Sequence, residues 1–271
     1  MYKILNMGNC FTDFNQKPII IAFEGNIGAG KSTFINYLKK NMTYLFGKKV
    51  IYIEEPLHLW QNLGGVDMLK KFYSNQEKYA FEFQMLATIS RLKMLEESIK
   101  INKNVVYVIE RCVLSDYHIF TKMLSRQSKM NEQQQIIINM WFSHIKINID
   151  YIVYLKTSPV NAYNRCRMRN RKGETVEFDY IDSCHNMYES WLNKETSNLI
   201  TLDCDNHMSD HVYQDHITTI KNNIKNFKTF KQMFLEWIKI VVVAVIYIYF
   251  WYVFSSGFYI KYLDQMYSEY R

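Results

Sequence analysis

The sequence predicts an α/β fold in three layers, a five-stranded parallel sheet with helices on both faces, followed by an apolar helix near the C-terminal end. Three observations carry this reading. Short β-branched runs recur along the chain and alternate with stretches of helical spacing, which is the pattern of buried parallel strands joined by crossover helices. The first of those runs opens directly into a glycine-rich turn, FEGNIGAGKST at 23–33. With 271 residues, 48% of them apolar, and only nine Gly and three Pro, the chain can bury one good core without long disordered linkers.

Taken in order, the first strand is PIIIAF (18–23). The turn after it runs Gly25, Asn26, Ile27, Gly28, Ala29, Gly30, Lys31, Ser32, Thr33 and fits G-x-x-x-x-G-K-[ST]; STFINYLKKN then continues with helical spacing. Strand, glycine turn and helix together make a phosphate cradle, the mark of a P-loop three-layer fold. Backbone N–H groups and the helix N-terminus face the anion, Lys31 reaches the β- and γ-phosphates of ATP, and the Ser32 hydroxyl holds Mg²⁺.

The second strand, KVIYIE (49–54), runs into Glu55 and Pro56. Neighbouring strand residues point to opposite faces, so Glu54 and Glu55 cannot both enter the crevice at the strand ends. Pro56 stops the strand and keeps Glu55 extended. A carboxylate near a γ-phosphate repels it, and the useful reason to have one is a neutral hydroxyl acceptor whose proton must be removed as it attacks. A monophosphate acceptor would call for arginine instead. A solvated strand-end charge is the plainer alternative.

In the helical stretch NQEKYAFEFQMLATISRLKMLEESIK, Gln84, Ala87 and Arg91 form one stripe, while Met85, Leu86, Ile89 and Leu92 form an apolar face. An amide and a guanidinium separated by a small residue suit the edge of a planar base, with Phe83 and Trp60 as flat surfaces. The third strand, NVVYVIE (104–110), leads into ERCVLSDYHIF. Glu110 there is placed to complete the Mg²⁺ shell with Ser32, Arg111 to lie beside the reacting oxygens, and Asp116 to pair with Arg91. After IDYIVYL (149–155), the segment NRCRMRNRKGE carries Arg165, Arg169 and Arg171 ahead of Glu174. Clustered arginines on a mobile segment suit closure over transferring phosphoryl groups, although such runs are also common on solvated faces. NLITLD (198–203) is the fifth strand.

A net charge of +7, not gathered into one block, favours anionic substrates and argues against a nucleic-acid partner. Five cysteines without a C-x-x-C pair fit a reducing compartment and no structural zinc. No N-terminal signal peptide is visible, and MGNCFT at 7–12 matches a myristoylation pattern only if its glycine were terminal. Residues 240–260 contain no charge and lie between Lys239 and Lys261, with Lys221, Lys225, Lys228 and Lys231 upstream. As a helix this run is about 31 Å long, enough to cross a bilayer core of roughly 30 Å. The lysines would leave the globular part in the cytoplasm as a single-pass, tail-anchored protein; a final core helix is the alternative. The organisation expected is an extension (1–17), a P-loop domain (18–226), a basic linker (227–239), a membrane anchor (240–260) and a short tail (261–271).

GNIGAGKST, EEP with Trp60 five residues after Glu55, FEFQ, ER at 110–111, the arginine segment ending in Glu174, and LDCD at 202–205 together resemble the deoxyribonucleoside kinases over about residues 18 to 226. The resemblance implies that Glu55 deprotonates the 5′-hydroxyl, that Arg111 supports it, and that Gln84 bonds the base. It also implies that Tyr73 and Glu174 hold the 3′-hydroxyl, that Arg165, Arg169 and Arg171 form a lid, and that the enzyme is a homodimer built from helices flanking the sheet. Phe120 belongs with Trp60, Phe83, Ala87, Arg91 and Asp116 in the substrate group. Arg91 and Asp116 match the branches resembling deoxycytidine and deoxyguanosine kinases, and a charged pair would crowd the thymine methyl. Gly173 stands where a second acidic residue is usual, which affects the lid geometry. The rival readings are a thymidine kinase, a nucleoside monophosphate kinase, and a membrane-anchored nucleotide-binding scaffold without catalysis.

Overall fold

The computed structural model describes residues 17–171, 174–194, 198–206 and 208–269, with the side chains of 228–232, 250 and 253–269 left outside that description. The 7–12 motif, all of the N-terminal extension except Lys17, and Lys172 and Gly173 of the arginine segment lie outside the described residues. By its internal contacts the chain divides after Lys221.

All five expected strands form, within two residues of their expected limits. β1 (Ile19–Glu24) is followed by α1 (Lys31–Asn41), a short β2 (Tyr44–Leu45) and β3 (Lys48–Ile53). Then come α2 (Leu57–Gln61), α3 (Met68–Ser74), the long α4 (Gln76–Ile101) and β4 (Val105–Glu110). A short α5 (Val113–Ser115), a π-helical turn (Asp116–Thr121) and α6 (Lys122–Arg126) precede α7 (Glu132–His144) and β5 (Tyr151–Lys156). The chain continues through α8 (Pro159–Arg169), α9 (Phe178–Leu192), β6 (Leu199–Asp203) and α10 (Asp210–Glu269).

The sheet has six strands in the order β2-β3-β4-β1-β5-β6, one more than expected. β1, β3, β4, β5 and β6 are parallel, and β2 is an antiparallel edge strand on β3. The hairpin that adds it turns through Phe46 (φ 51°) and Gly47 (φ 75°), both left-handed as a tight two-residue hairpin turn requires. Central β4 is buried along its whole length, consistent with its unbroken apolar run. Apolar clusters cover both faces: Ile20, Ala22, Tyr107 and Ile109 pack with Leu95 of α4 on one, and Ile152 and Tyr154 pack with Ile181 and Tyr188 of α9 on the other.

Helix starts follow local chemistry. Asp67, Asn75, Asn131 and Ser158 each accept a hydrogen bond from the third backbone N–H of the helix they cap, satisfying donors that would otherwise be orphaned.

The expected separate apolar helix at 240–260 is instead the interior of the 60-residue α10. Its described side chains at 240–249, 251 and 252 are exposed, and among the described residues no helix is long and apolar enough to cross a membrane.

Candidate active site

The carboxyl ends of β1, β3 and β4 open onto a cavity of about 390 Å³. Of the sequence-predicted site residues, all line it except Gly25, Asn26 and Ala29. Those three form the back of the glycine turn. The Asn26 amide donates to the carbonyl of Ile181 at 2.8 Å, and its oxygen accepts from the N–H of Ile27 at 2.8 Å, tying the turn to α9.

Gly28 (φ +81°) shows why this turn needs glycine. A Cβ there would stand 2.0 Å from the carbonyl oxygen of Ala162 in α8, a clash with backbone that no rotamer can relieve. Lys31 folds back on the turn and donates to the carbonyls of Gly25 (3.0 Å) and Asn26 (2.7 Å). Burial, with the Arg111 charge beside it, brings its ammonium down to about 7.

Ser32 Oγ donates to Glu110 Oε1 at 2.8 Å, so the two predicted metal ligands are adjacent. Burial pushes the Glu110 carboxyl up, with the nearby Glu55 charge adding to the effect. A hydroxyl and a carboxylate side by side at the glycine turn fit Mg²⁺, which takes few protein oxygens and fills the rest of its octahedron from water and substrate. Among the described residues no group of three or more His, Cys, Asp or Glu could hold a metal by itself.

At the centre, Arg91 bridges two carboxylates. Its Nη2 lies 2.8 Å from Glu55 Oε1, its Nε lies 3.1 Å from Asp116 Oδ1, and Nη1 donates to the carbonyl of Glu110 at 3.4 Å. Arg111 Nε lies 3.4 Å from the same Glu55 oxygen. Burial alone would raise the Glu55 carboxyl, but Arg91, Arg111 and Lys31 outweigh it and hold it down at about 2. For Asp116 burial outweighs Arg91 and pushes the carboxyl up to about 6. The π-helical turn beginning at Asp116 brings that side chain inward toward Arg91, an irregularity typical of functional sites. Asp116 Oδ2 and Gln84 Oε1 are buried without a hydrogen-bond partner among the described residues.

Trp60 and Phe83 reach the cavity, although not as two free plates. Phe72 stacks on Phe83 with centroids 4.7 Å apart, Trp60 meets Phe83 edge-on at 5.5 Å, and the Arg91 guanidinium sits 4.8 Å over the Trp60 ring. The Trp60 indole N–H donates to Ser90 at 2.9 Å. Tyr73 is wedged edge-on against Phe72 and Tyr180. Burial and then the charge of Glu174 push its hydroxyl well up, so it remains a protonated donor.

The arginine segment divides. Arg169 and Arg171 both pair with Glu174, at 2.5 and 3.8 Å. Arg165 instead donates to the carbonyls of Cys204 (2.7 Å), Asp205 (2.8 Å) and Asn206 (3.0 Å), so its guanidinium anchors the loop after β6. Sequence reasoning also missed the wall residues Leu57, Leu69, Phe72, Met168 and Tyr180. At Phe72 and Tyr180 an apolar-periodic position reads as core whether it faces a core or a cavity. Glu24 and Tyr188, fully buried behind Arg111, were missed as well.

Comparison with known proteins matches this architecture. The family model for deoxynucleoside kinases matches residues 21–229. A probable deoxycytidine kinase of fowlpox virus is 36% identical over 197 residues, covering 71% of this chain and 78% of its own. The human mitochondrial thymidine kinase 2 is 30% identical over 203 residues, covering 71% and 73%. A mitochondrial deoxyguanosine kinase of Xenopus laevis is 28% identical over 201 residues, covering 65% and 74%. The matched span begins in the strand that leads into the glycine turn and includes every residue lining the cavity, and the chain belongs to the deoxynucleoside kinase family.

Proposed function

We propose that this deoxynucleoside kinase transfers the γ-phosphoryl group of ATP to the 5′-hydroxyl of deoxynucleosides whose base carries an exocyclic amine, deoxycytidine or a purine deoxynucleoside, in nucleotide salvage. The observation that carries the base preference is the pair of unsatisfied buried acceptors, Asp116 Oδ2 and Gln84 Oε1, on the same cavity wall as Arg91. A buried acceptor without a donor costs about 1–3 kcal/mol, and an amine with two N–H groups satisfies such acceptors. Thymine carries no exocyclic amine, and where cytosine and adenine carry theirs it offers a carbonyl oxygen, which meets these acceptors with like polarity. The relative of fowlpox virus is itself described as a probable deoxycytidine kinase.

In this reading Glu55 takes the 5′-hydroxyl proton as the oxygen attacks phosphorus. A carboxylate held near 2 by three cations is a weak base, and the incoming phosphates change that. They bring negative charge beside Glu55 and draw Lys31 to themselves, and the proton affinity of Glu55 rises. Ser32 and Glu110 would hold Mg²⁺, which neutralises charge on the β- and γ-oxygens when bound. Lys31 and the N–H groups of the glycine turn hold the phosphates, while Tyr73 and Glu174 orient the sugar through its 3′-hydroxyl. Arg169 and Arg171 close over the transferring group.

Phosphate transfer from ATP to each of the four deoxynucleosides tests this, with Asp116→Ala/Arg91→Met as the comparison. Transfer to an amino-bearing base, with the ratio over thymidine falling about 10- to 100-fold in the double variant, is expected. Thymidine as best substrate would overturn the base assignment, thymidine monophosphate as best acceptor would overturn the acceptor, and ATP binding without transfer would favour a scaffold.

Two further parts of the proposal concern assembly and location. The exposed Ile136, Ile137, Met140 and Trp141 of α7, with Ile89 of α4, form an apolar surface suited to a second copy of the chain, and sedimentation at micromolar concentration should give a dimer. The exposed apolar side chains of 240–249, 251 and 252 suit attachment to a lipid bilayer with the kinase domain in the cytoplasm. Flotation with liposomes should be lost when 240–271 are removed.

A further inference from the structure

Arg111 is held in an unusual way. Its backbone is left-handed (φ 60°), a conformation that costs a side-chain-bearing residue about 1–2 kcal/mol and persists only where the surroundings enforce it. Two groups do so. Its own N–H donates to the carbonyl of Phe23 at 3.0 Å, and the next N–H, of Cys112, donates to Glu24 Oε1 at 2.8 Å. The other carboxylate oxygen of Glu24 accepts from the hydroxyl of Tyr188 at 3.0 Å. Because that proton is directed to Glu24, the lone pair of Tyr188 faces Arg111, whose Nη1 donates to it. The far side of the guanidinium reaches Glu55 and lies 4.9 Å over the ring of Phe120.

A single fully buried carboxylate, the last residue of β1 before the glycine turn, therefore grips Arg111 twice, through the backbone after it and through the tyrosine of α9 behind it. A buried carboxylate and a buried hydroxyl need partners, but that need would be met by any donors; here one bond of Glu24 ends on the residue after Arg111 and the other on the tyrosine to which Arg111 itself donates. We propose that Glu24 and Tyr188 are positioning residues for phosphoryl transfer, which aim the Arg111 guanidinium at Glu55 and the reacting oxygens and lock it to the strand that carries the phosphate cradle. This rests on the kinase reading above.

Tyr188→Phe is the cleanest test, since it keeps the ring that stacks on Tyr154 at 5.7 Å and removes only the hydroxyl. A misaimed group costs on the order of 10- to 100-fold in rate, so kcat should fall by about that factor while ATP affinity and the nucleoside KM stay within about twofold. Glu24→Gln should give the same signature. Its amide must present either an N–H to the Cys112 N–H or an N–H to the Tyr188 hydroxyl, and the second choice turns the hydroxyl proton toward Arg111. In an Arg111→Lys background Tyr188→Phe should add almost nothing to the loss, because the two changes remove one function.

The inference is overturned by an active wild type whose kcat is unchanged in Tyr188→Phe and Glu24→Gln. Equal losses in the Arg111 and Arg111→Lys backgrounds, or a parallel loss of ATP and nucleoside binding, overturn it too and leave the two residues a packing role. A wild-type chain that transfers phosphate to no deoxynucleoside sinks the parent reading first, and this one with it.

Discussion

Glu55→Gln separates the chemistry of the site from its binding. The side chain is 14% exposed and receives Arg91 at 2.8 Å and Arg111 at 3.4 Å, and the replacement keeps its shape while removing the charge. Loss of a general base costs on the order of 10²–10⁴ in kcat, about 2.7 to 5.4 kcal/mol of barrier. ATP binding should not weaken, because one negative charge has been removed from beside the phosphates. Stability should fall. The carboxyl drops from 4.5 to about 2 on folding, which corresponds to a contribution on the order of 3 kcal/mol at neutral pH. Since the folded value lies below the unfolded one, that contribution is present above pH 4.5 and lost as pH falls toward 2. The wild type should therefore lose more stability than the variant over that window, as read by thermal melts at stepped pH. Single-turnover phosphate transfer and ATP titration measure the other two quantities. Turnover within threefold of wild type would refute the base assignment, and ATP affinity falling in step with kcat would refute the separation of charge roles.

Three other outcomes are expected. Gly28→Ala should reduce ATP affinity at least tenfold and lower the melting temperature, because its Cβ would meet the Ala162 carbonyl at 2.0 Å in a left-handed residue; calorimetric titration checks this. The KM for an amino-bearing nucleoside should rise as pH falls through about 6, the value to which burial lifts Asp116, since a protonated acceptor becomes a donor, and Asp116→Asn should flatten the profile. Stability moves oppositely for that group: with its folded value raised above 3.8, its contribution is full below 3.8 and lost as pH rises through about 6. ATP should tighten nucleoside binding severalfold, with the nucleoside tightening ATP by the same factor, as measured by titration of each in the presence of the other.

The parallel strands and the glycine turn were legible because both are local. A buried parallel strand must be an apolar run, and the turn must have glycine where Gly28 meets α8. The chemistry of Glu55 could be argued because Pro56 fixed where its strand stops. β2 escaped because two residues have no periodicity, and its turn uses Phe46 in a left-handed conformation that sequence does not advertise. Arg165 was legible as one of a cluster but not as the anchor of the loop after β6, since its three carbonyl partners lie about 40 positions away. Glu24 and Tyr188 are harder still. A glutamate closing a strand and a tyrosine on an amphipathic helix carry no local mark of facing each other, and only the sheet order brings them together.

The cations of the site already have partners within the protein. Lys31 is on two carbonyls, Arg91 and Arg111 are on Glu55, and Arg169 and Arg171 are on Glu174. If these cations bind phosphate as proposed, binding is an exchange, and its net gain is the difference between phosphate and the internal partner released. The exchange has direction. In the proposed mechanism, Arg169 and Arg171 moving to phosphate would leave Glu174 to accept a sugar hydroxyl; phosphate charge beside Glu55, with Lys31 drawn away, would raise its basicity where the proposal places the 5′-hydroxyl. On that proposal a donor and an acceptor that share no contact would be coupled through carboxylates that the same cations hold in the structure, and water entering with ATP alone would find Glu55 still bridged by Arg91.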